Sequence, residues 1–170
     1  MKFALKMKEE YQKWFFTLAD QNLVSEQSIL FFFEETSFSF TKRNLTREWL
    51  QKVAKREQKK ITALNYIFCT DDYLLTINKQ HLDHDTYTDI ITFGYSPKTS
   101  KEITGDIFIS IDRVKENALT YQTTFQNELK RVMAHGLLHL CGYKDKSAAD
   151  KAMMKKKEDA SVALFHALDS

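Results

Sequence analysis

Cysteine, proline and long apolar runs are scarce in this chain, and each scarcity removes a class of protein. Cys69 and Cys141 are the only two cysteines in 170 residues. They stand far apart in patterned apolar segments, without framework spacing, and so read as buried free thiols in a reducing compartment. The expected location is therefore cytoplasmic. No stretch approaches the roughly 20 apolar residues that a membrane-spanning helix needs. Lys2, Lys6 and Lys8 precede no apolar run of signal-peptide length, because Lys13, Asp20 and Gln21 interrupt it. A formal charge of +2 does not by itself declare a nucleic-acid binder, although the basic residues are clumped and RNA is permitted. Repeats and low-complexity segments are lacking too. What is present, 43% hydrophobic and 28% charged residues over 170 positions, suits a single soluble domain with a sizeable core.

Glycine is also scarce, with four in the chain, and two of them fall in one stretch that organises the rest: His135-Gly136-Leu137-Leu138-His139-Leu140-Cys141-Gly142-Tyr143-Lys144-Asp145. Successive residues of an α-helix are rotated by about 100°, so His135 and His139 point the same way about one turn apart. Gly142 stands where a helix ends on a left-handed residue, and the reversed chain can return Asp145 as a third donor. Two imidazoles and a carboxylate leave a tetrahedral ion one open position for water, the arrangement of a catalytic zinc site. One Zn2+ on His135, His139 and Asp145 is the expectation. A histidine pair at this spacing arises by chance about 0.1 times in such a chain, and the glycine and the acid lower that below about 0.001. The bland alternative makes His135 and His139 satisfied core histidines and Asp145 a cap or surface charge; it leaves the Gly-x-x-Asp tail unexplained.

Along the chain, residues 1–27 read as an extension with a short amphipathic helix (Tyr11, Trp14, Phe15, Leu18) of unclear role, and residues 28–170 as the domain. Ser28 to Glu35 is expected to be a first strand buried on both faces. Thr41 to Lys60 has helical periodicity, with Leu45, Trp49, Leu50, Val53 and Ala54 inside and Lys52, Lys55, Arg56, Lys59 and Lys60 outside. Ala63 to Thr70 is a second strand, and Asp71-Asp72 offers an N-cap to a short helix over Tyr73 to Gln80. A polar loop from His81 to Thr88 precedes a third strand, Asp89 to Phe93. Gly94 to Gly105, which holds the only proline, Pro97, reads as a flexible connection to a fourth strand, Gly105 to Ser110. Asp112 is expected to cap a helix over Arg113 to Tyr121, and Thr123 to Gln126 has capping-box spacing before the motif helix, whose Leu129, Val132 and Met133 face the core. Ser147 and Asp150 signal a closing helix with Met153, Met154, Ala160, Leu164 and Phe165 inside and Lys155 to Lys157 outside. The fold class is α+β: a single domain with a four-stranded mixed sheet, about five helices and a zincin-like metal-binding helix. Phe31 to Phe33, Tyr66 and Phe68 are assigned to the core ahead of base stacking, and Cys141 to packing ahead of ligation.

The zinc-peptidase pattern H-E-x-x-H places its general base directly after the first histidine, where this chain has Gly136. A bound metal acidifies its water and polarises a phosphoryl oxygen, so phosphodiester hydrolysis needs less from the protein. His135-Gly136-x-Leu138-His139-Leu140-x-Gly142-Tyr143 resembles the signature of the YbeY endoribonucleases. Asn78, Thr88-Asp89-Ile90-Ile91-Thr92-Phe93 and Gly105-Asp106-Ile107-Phe108-Ile109-Ser110 agree with that family in order, over roughly residues 28 to 166. The resemblance implies a metal-dependent, single-strand-specific endoribonuclease. It would act in 3′-end maturation of small-subunit (16S) rRNA and in ribosome quality control, with small-subunit proteins and an assembly GTPase as partners.

Two departures stand out. After Gly-Tyr the family usually has Asp-His, whereas this chain reads Lys144-Asp145-Lys146, so Asp145 occupies the third-ligand position; a carboxylate is a harder ligand and alters the site's charge. By alignment Leu82 stands where the family usually has a functional arginine, so no catalytic residue is assigned. His84, with His81 as a weaker candidate, and Lys144 and Lys146 are the expected substrate-binding residues, and the basic groups Lys52 to Lys60 and Lys144 to Lys157 could track an RNA backbone. The competing functions are a metal-dependent hydrolase of another substrate, with a peptidase disfavoured by Gly136, and a ribosome-assembly binding module with a structural metal.

Overall fold

The computed structural model describes residues 28–82, 86–97 and 99–170, with only the backbone of residues 80–82. The elements run β1 (Ile29–Glu34), α1 (Arg43–Arg56), β2 (Lys60–Cys69), α2 (Asp71–Leu82), β3 (Ile90–Gly94), β4 (Glu102–Ser110), α3 (Ile111–Thr120), α4 (Phe125–Cys141) and α5 (Ala148–Asp169). The strands form one sheet in the order β1-β2-β4-β3. β1, β2 and β4 are parallel and β3 runs antiparallel to β4. The expected α+β fold, with four strands in a mixed sheet and five helices among the described residues, is what forms.

Alternation along the strands gives the sheet two unequal faces. Tyr66 and Phe68 of β2 and Ile107 and Ile109 of β4 join Trp49, Val53, Leu129, Met133, Leu137 and Phe165 in the main core under α1, α3, α4 and α5. Ile67, Cys69 and Phe108 point the other way and meet Leu74 and Ile77 of α2 in a smaller cluster. Buried polar tips tie the layers together: the Tyr66 hydroxyl donates to the Met133 carbonyl of α4 at 2.9 Å, and the Trp49 indole N–H donates to the Ser161 carbonyl of α5 at 2.7 Å. Of the aromatics assigned to the core, Tyr66 and Phe68 are fully buried in it, while Phe31 to Phe33 pack half-buried against its edges.

Glycines set the depth of α4 against the sheet. Gly94 and Gly105 are opposite each other in the β3–β4 register, and the space their side chains would fill is taken by the Leu140 methyls. A β-carbon at Gly105 would stand 2.5 Å from the Phe93 carbonyl oxygen and 3.1 Å from Leu140 Cδ1. On the helix side, a β-carbon at Gly136 would meet Ile107 Cγ2 at 2.9 Å and Ile90 Cδ1 at 2.8 Å. The sequence reading took Gly136 as a missing general base; the fold adds that even a methyl there would force Ile107 and Ile90 to shift.

Several expectations shift in detail. Only Ile29 of β1 is fully buried; among the described residues β1 has a single strand neighbour, and Leu30 to Glu34 remain half-exposed. β2 begins earlier, at Lys60, and β4 at Glu102, since the ladder continues between them beyond the apolar cores of both strands. Asp71 and Asp72 lie in the first turn of α2 and the Thr70 hydroxyl accepts from the Tyr73 N–H. Ser110, and not Asp112, caps α3, because β4 runs straight into that helix; Asp112 accepts instead from the Asp71 N–H. Thr124, one residue after Thr123, caps α4, and its hydroxyl accepts from the Asn127 N–H in place of Gln126. The capping box of Ser147 and Asp150 forms as expected. The inner stripe of α5 is Met154, Glu158, Ser161 and Phe165, while Met153 and Ala160 face solvent.

Candidate functional site

The motif helix α4 ends on Gly142 at φ 108°, and the Gly142 and Tyr143 N–H groups close the turn on the His139 and Leu138 carbonyls. This left-handed cap is what glycine alone adopts without strain. It sends the chain back past its own helix, so that donor atoms of His135, His139 and Asp145 all lie within 4.8 Å of one another. The two imidazoles meet edge to face with ring centroids 4.4 Å apart and Nε2 atoms at 2.9 Å. Asp145 Oδ2 is 3.5 Å from His139 Nε2 and 3.7 Å from His135 Nε2.

These separations test whether an ion fits. Zinc at its usual bond lengths spaces tetrahedral donors about 3.3 Å apart, and the three distances here, 2.9, 3.5 and 3.7 Å, straddle that value. The outer nitrogens agree. His139 Nδ1 is 3.0 Å from the Tyr143 carbonyl oxygen and therefore carries the proton. His135 Nδ1 is 2.6 Å from Glu158 Oε1. A proton on each outer nitrogen would leave both Nε2 lone pairs converging with a carboxylate, which suits a cation between them. Burial tends to raise the Glu158 carboxyl, but the hydrogen bond with His135 and the charge of Arg131 overcome it and hold it below the usual carboxylate range.

The turn carrying Asp145 has its own clamp. The Tyr143 hydroxyl donates to Glu57 Oε2 at 2.6 Å, and Lys157 Nζ spans both Glu57 oxygens at 2.8 and 2.9 Å. Burial and the hydrogen bond to Glu57 raise the Tyr143 phenol, while the bond to Glu57 raises Lys157. Cys141 contributes no donor to the trio; burial, aided by Glu57, pushes its thiol up to about 12.

The three donors open into a cleft of about 990 Å³ between the turn and the β3–β4 side of the sheet. Lys144 and Lys146 stand exposed on its rim. Asn78, itself buried, donates to the Thr86 carbonyl at 2.7 Å and fixes the approach to β3 at the cleft wall. His84 lies outside the described residues, as do the side chains of His81 and Leu82. In the wider basic groups Lys52 pairs with Glu48, Lys155 with Asp159 and Lys157 with Glu57; among the described residues the lysines that line the cleft are Lys144 and Lys146. Sequence reasoning missed Glu158, Arg131 and Glu57, and named Tyr143 only as part of the motif, without its clamp. Their partners are 23 to 100 positions away or on other elements, so local spacing carries no sign of them, apart from the one-face run of Glu128, Arg131 and His135 on α4.

Known proteins resemble this chain in sequence and fold. The family model for endoribonuclease YbeY matches residues 31–166. An endoribonuclease YbeY of Cytophaga hutchinsonii is 55% identical over 141 residues, covering 83% of this chain and 98% of the relative. One of Flavobacterium johnsoniae is 51% identical over 132 residues, covering 78% and 94%. A solution structure of a Thermotoga maritima protein superposes with a TM-score of 0.55 at 26% identity, covering 79% of this chain and 88% of that one. With a helix-turn trio set in a cleft of this fold, and a match that spans the domain, the chain belongs to the endoribonuclease YbeY family.

Proposed function

We propose that residues 28–170 form a metal-dependent endoribonuclease domain that cuts single-stranded RNA, with one Zn2+ held by His135, His139 and Asp145. The convergence of those three donors at the floor of a cleft carries the reading, together with the family's printed activity. The chemistry such an ion supplies when bound is Lewis acidity toward a phosphoryl oxygen and acidification of water. The protein's own part is positional. α4 fixes two donors, the Gly142 turn delivers the third, and Lys144 and Lys146 hold phosphates at the rim by charge. His84, in the loop before β3, is a further candidate for contact with substrate. Asp145 makes the trio harder and more negative than three histidines would be, which favours oxygen-loving cations more than usual.

The biological setting follows from the resemblance: 3′-end maturation of 16S rRNA and ribosome quality control in the cytoplasm, alongside small-subunit proteins and an assembly GTPase. Among the described residues no helix is long and apolar enough to cross a membrane. Incubating Zn2+-loaded protein with labelled single-stranded RNA, duplex RNA and casein tests the activity; only the first should be cut, and cutting of casein alone would reverse the assignment. In cells, rRNA 3′-end maturation that survives His135→Ala would favour a binding module with a structural metal.

A further inference from the structure

Behind His135 lies a charge cluster that the proposed chemistry does not use. Glu128, Arg131 and His135 fall on one face of α4, and Glu158 reaches them from the inner stripe of α5. Glu128 is almost wholly buried and both of its oxygens are occupied by one guanidinium, at 2.9 Å from Arg131 Nε and 2.7 Å from Nη2. The remaining nitrogen, Arg131 Nη1, donates to Glu158 Oε2 at 3.3 Å, while Glu158 Oε1 faces His135 Nδ1 at 2.6 Å. Asp89 adds a third carboxylate 3.9 Å from Arg131 Nη2. One guanidinium is thus shared among three carboxylates. A planar fork with two carboxylates on it leaves no freedom to turn, so Glu158 is fixed from behind.

We propose that Glu158 is a positioning residue. Its carboxylate, held in place by Arg131, keeps the imidazole proton of His135 on Nδ1 and presents Nε2 as the metal-binding nitrogen. The proposal rests on the reading of His135, His139 and Asp145 as a metal site. It also makes the two histidines unequal. His135 has a charged partner, whereas His139 has the neutral carbonyl of Tyr143. An anionic partner raises imidazole basicity more than a carbonyl does, so His135 is the stronger donor and the one whose orientation is set first.

Two measurements test this. Long-range 1H–15N spectra of metal-free wild-type protein carrying 15N-histidine, recorded near pH 8, should show His135 as the Nδ1–H tautomer; Nε2–H would overturn the proposal and needs no variant to be seen. Glu158→Gln, checked for fold by circular dichroism, should weaken Zn2+ binding by about 10- to 100-fold in chelator competition. It should also change the Co2+ d–d spectrum at saturating metal. A purely structural role predicts a lower melting temperature with metal affinity and spectrum unmoved, and that result overturns the proposal. Wild-type protein that takes up no Zn2+ overturns the metal site itself. That differs from uptake of Zn2+ with the His135 proton on Nε2, which overturns the positioning role alone.

Discussion

The trio is built in two halves that the protein holds by different means. The helix half, His135 and His139, has side chains 17% and 28% exposed, rides on a helix packed against β3 and β4, and has each outer nitrogen tied to a partner. The turn half, Asp145, is 44% exposed and depends on a glycine cap and on the clamp from Tyr143 to Glu57 and Lys157. In the proposed metal site the rigid histidines would set place and geometry, and the more exposed carboxylate would be the part free to adjust and to tune which cation is preferred. A preorganised donor costs little to order on binding, and an exposed one costs more.

Changes in either half sharpen or break this contrast. The largest effect is expected for His139→Ala, which should lower Zn2+ affinity by more than about 100-fold, beyond the usual loss of an outer partner; tight binding by equilibrium dialysis would break the assignment. Asp145→Ala should cost less but still more than about tenfold, and Asp145→His should restore affinity while shifting preference from Mn2+ toward Zn2+. Equal losses for His139→Ala and Asp145→Ala would erase the distinction between the halves.

Gly136→Ala probes the support under the helix half. Its methyl would stand 2.9 Å from Ile107 Cγ2, an atom on a branched carbon with little room to retreat, and overpacking of this kind costs about 1–3 kcal/mol in thermal or urea unfolding. Tyr143→Phe probes the turn half. It should cost about 1 kcal/mol for the lost bond to Glu57 and lower metal affinity by a smaller factor than Asp145→Ala.

Asp106 serves as a control on the opposite face of the sheet from α4. Burial raises its carboxyl, against the lowering effect of bonds from Tyr95 and Asn65. A raised folded value means that stability falls as pH climbs from the ordinary carboxylate range through the folded value. Asp106→Asn should therefore be at least as stable as wild type at pH 7, lose that advantage at pH 3.5, and leave metal affinity unchanged. A change in metal affinity would show the two faces to be coupled.

Much of this was legible because it is local. Helical spacing brought His135 and His139 together, the φ that only glycine tolerates marked Gly142 as the turn, and Asp145 followed from the turn. The stripe of Trp49, Leu50, Val53 and Ala54 and the box of Ser147 and Asp150 were readable for the same reason. Errors gathered where local signals competed. Ser110 displaced Asp112 as a cap because a strand that enters a helix directly supplies its own last residue. Met153 and Ala160 read as core because sequence hydrophobicity cannot foresee that α5 turns Glu158 and Ser161 inward to meet His135 and Trp49.

By itself the sequence determined the order of strands and helices, the trio of donors and the family, because each depends on residue type at short spacing. Only the tertiary structure decided what holds the donors. The carboxylate behind His135 and the clamp on the turn come from α5 and from Glu57 at the C-cap of α1, brought in by burial of Trp49 and Phe165. Pairing across such separations is set by packing of the whole core and leaves no period in the chain.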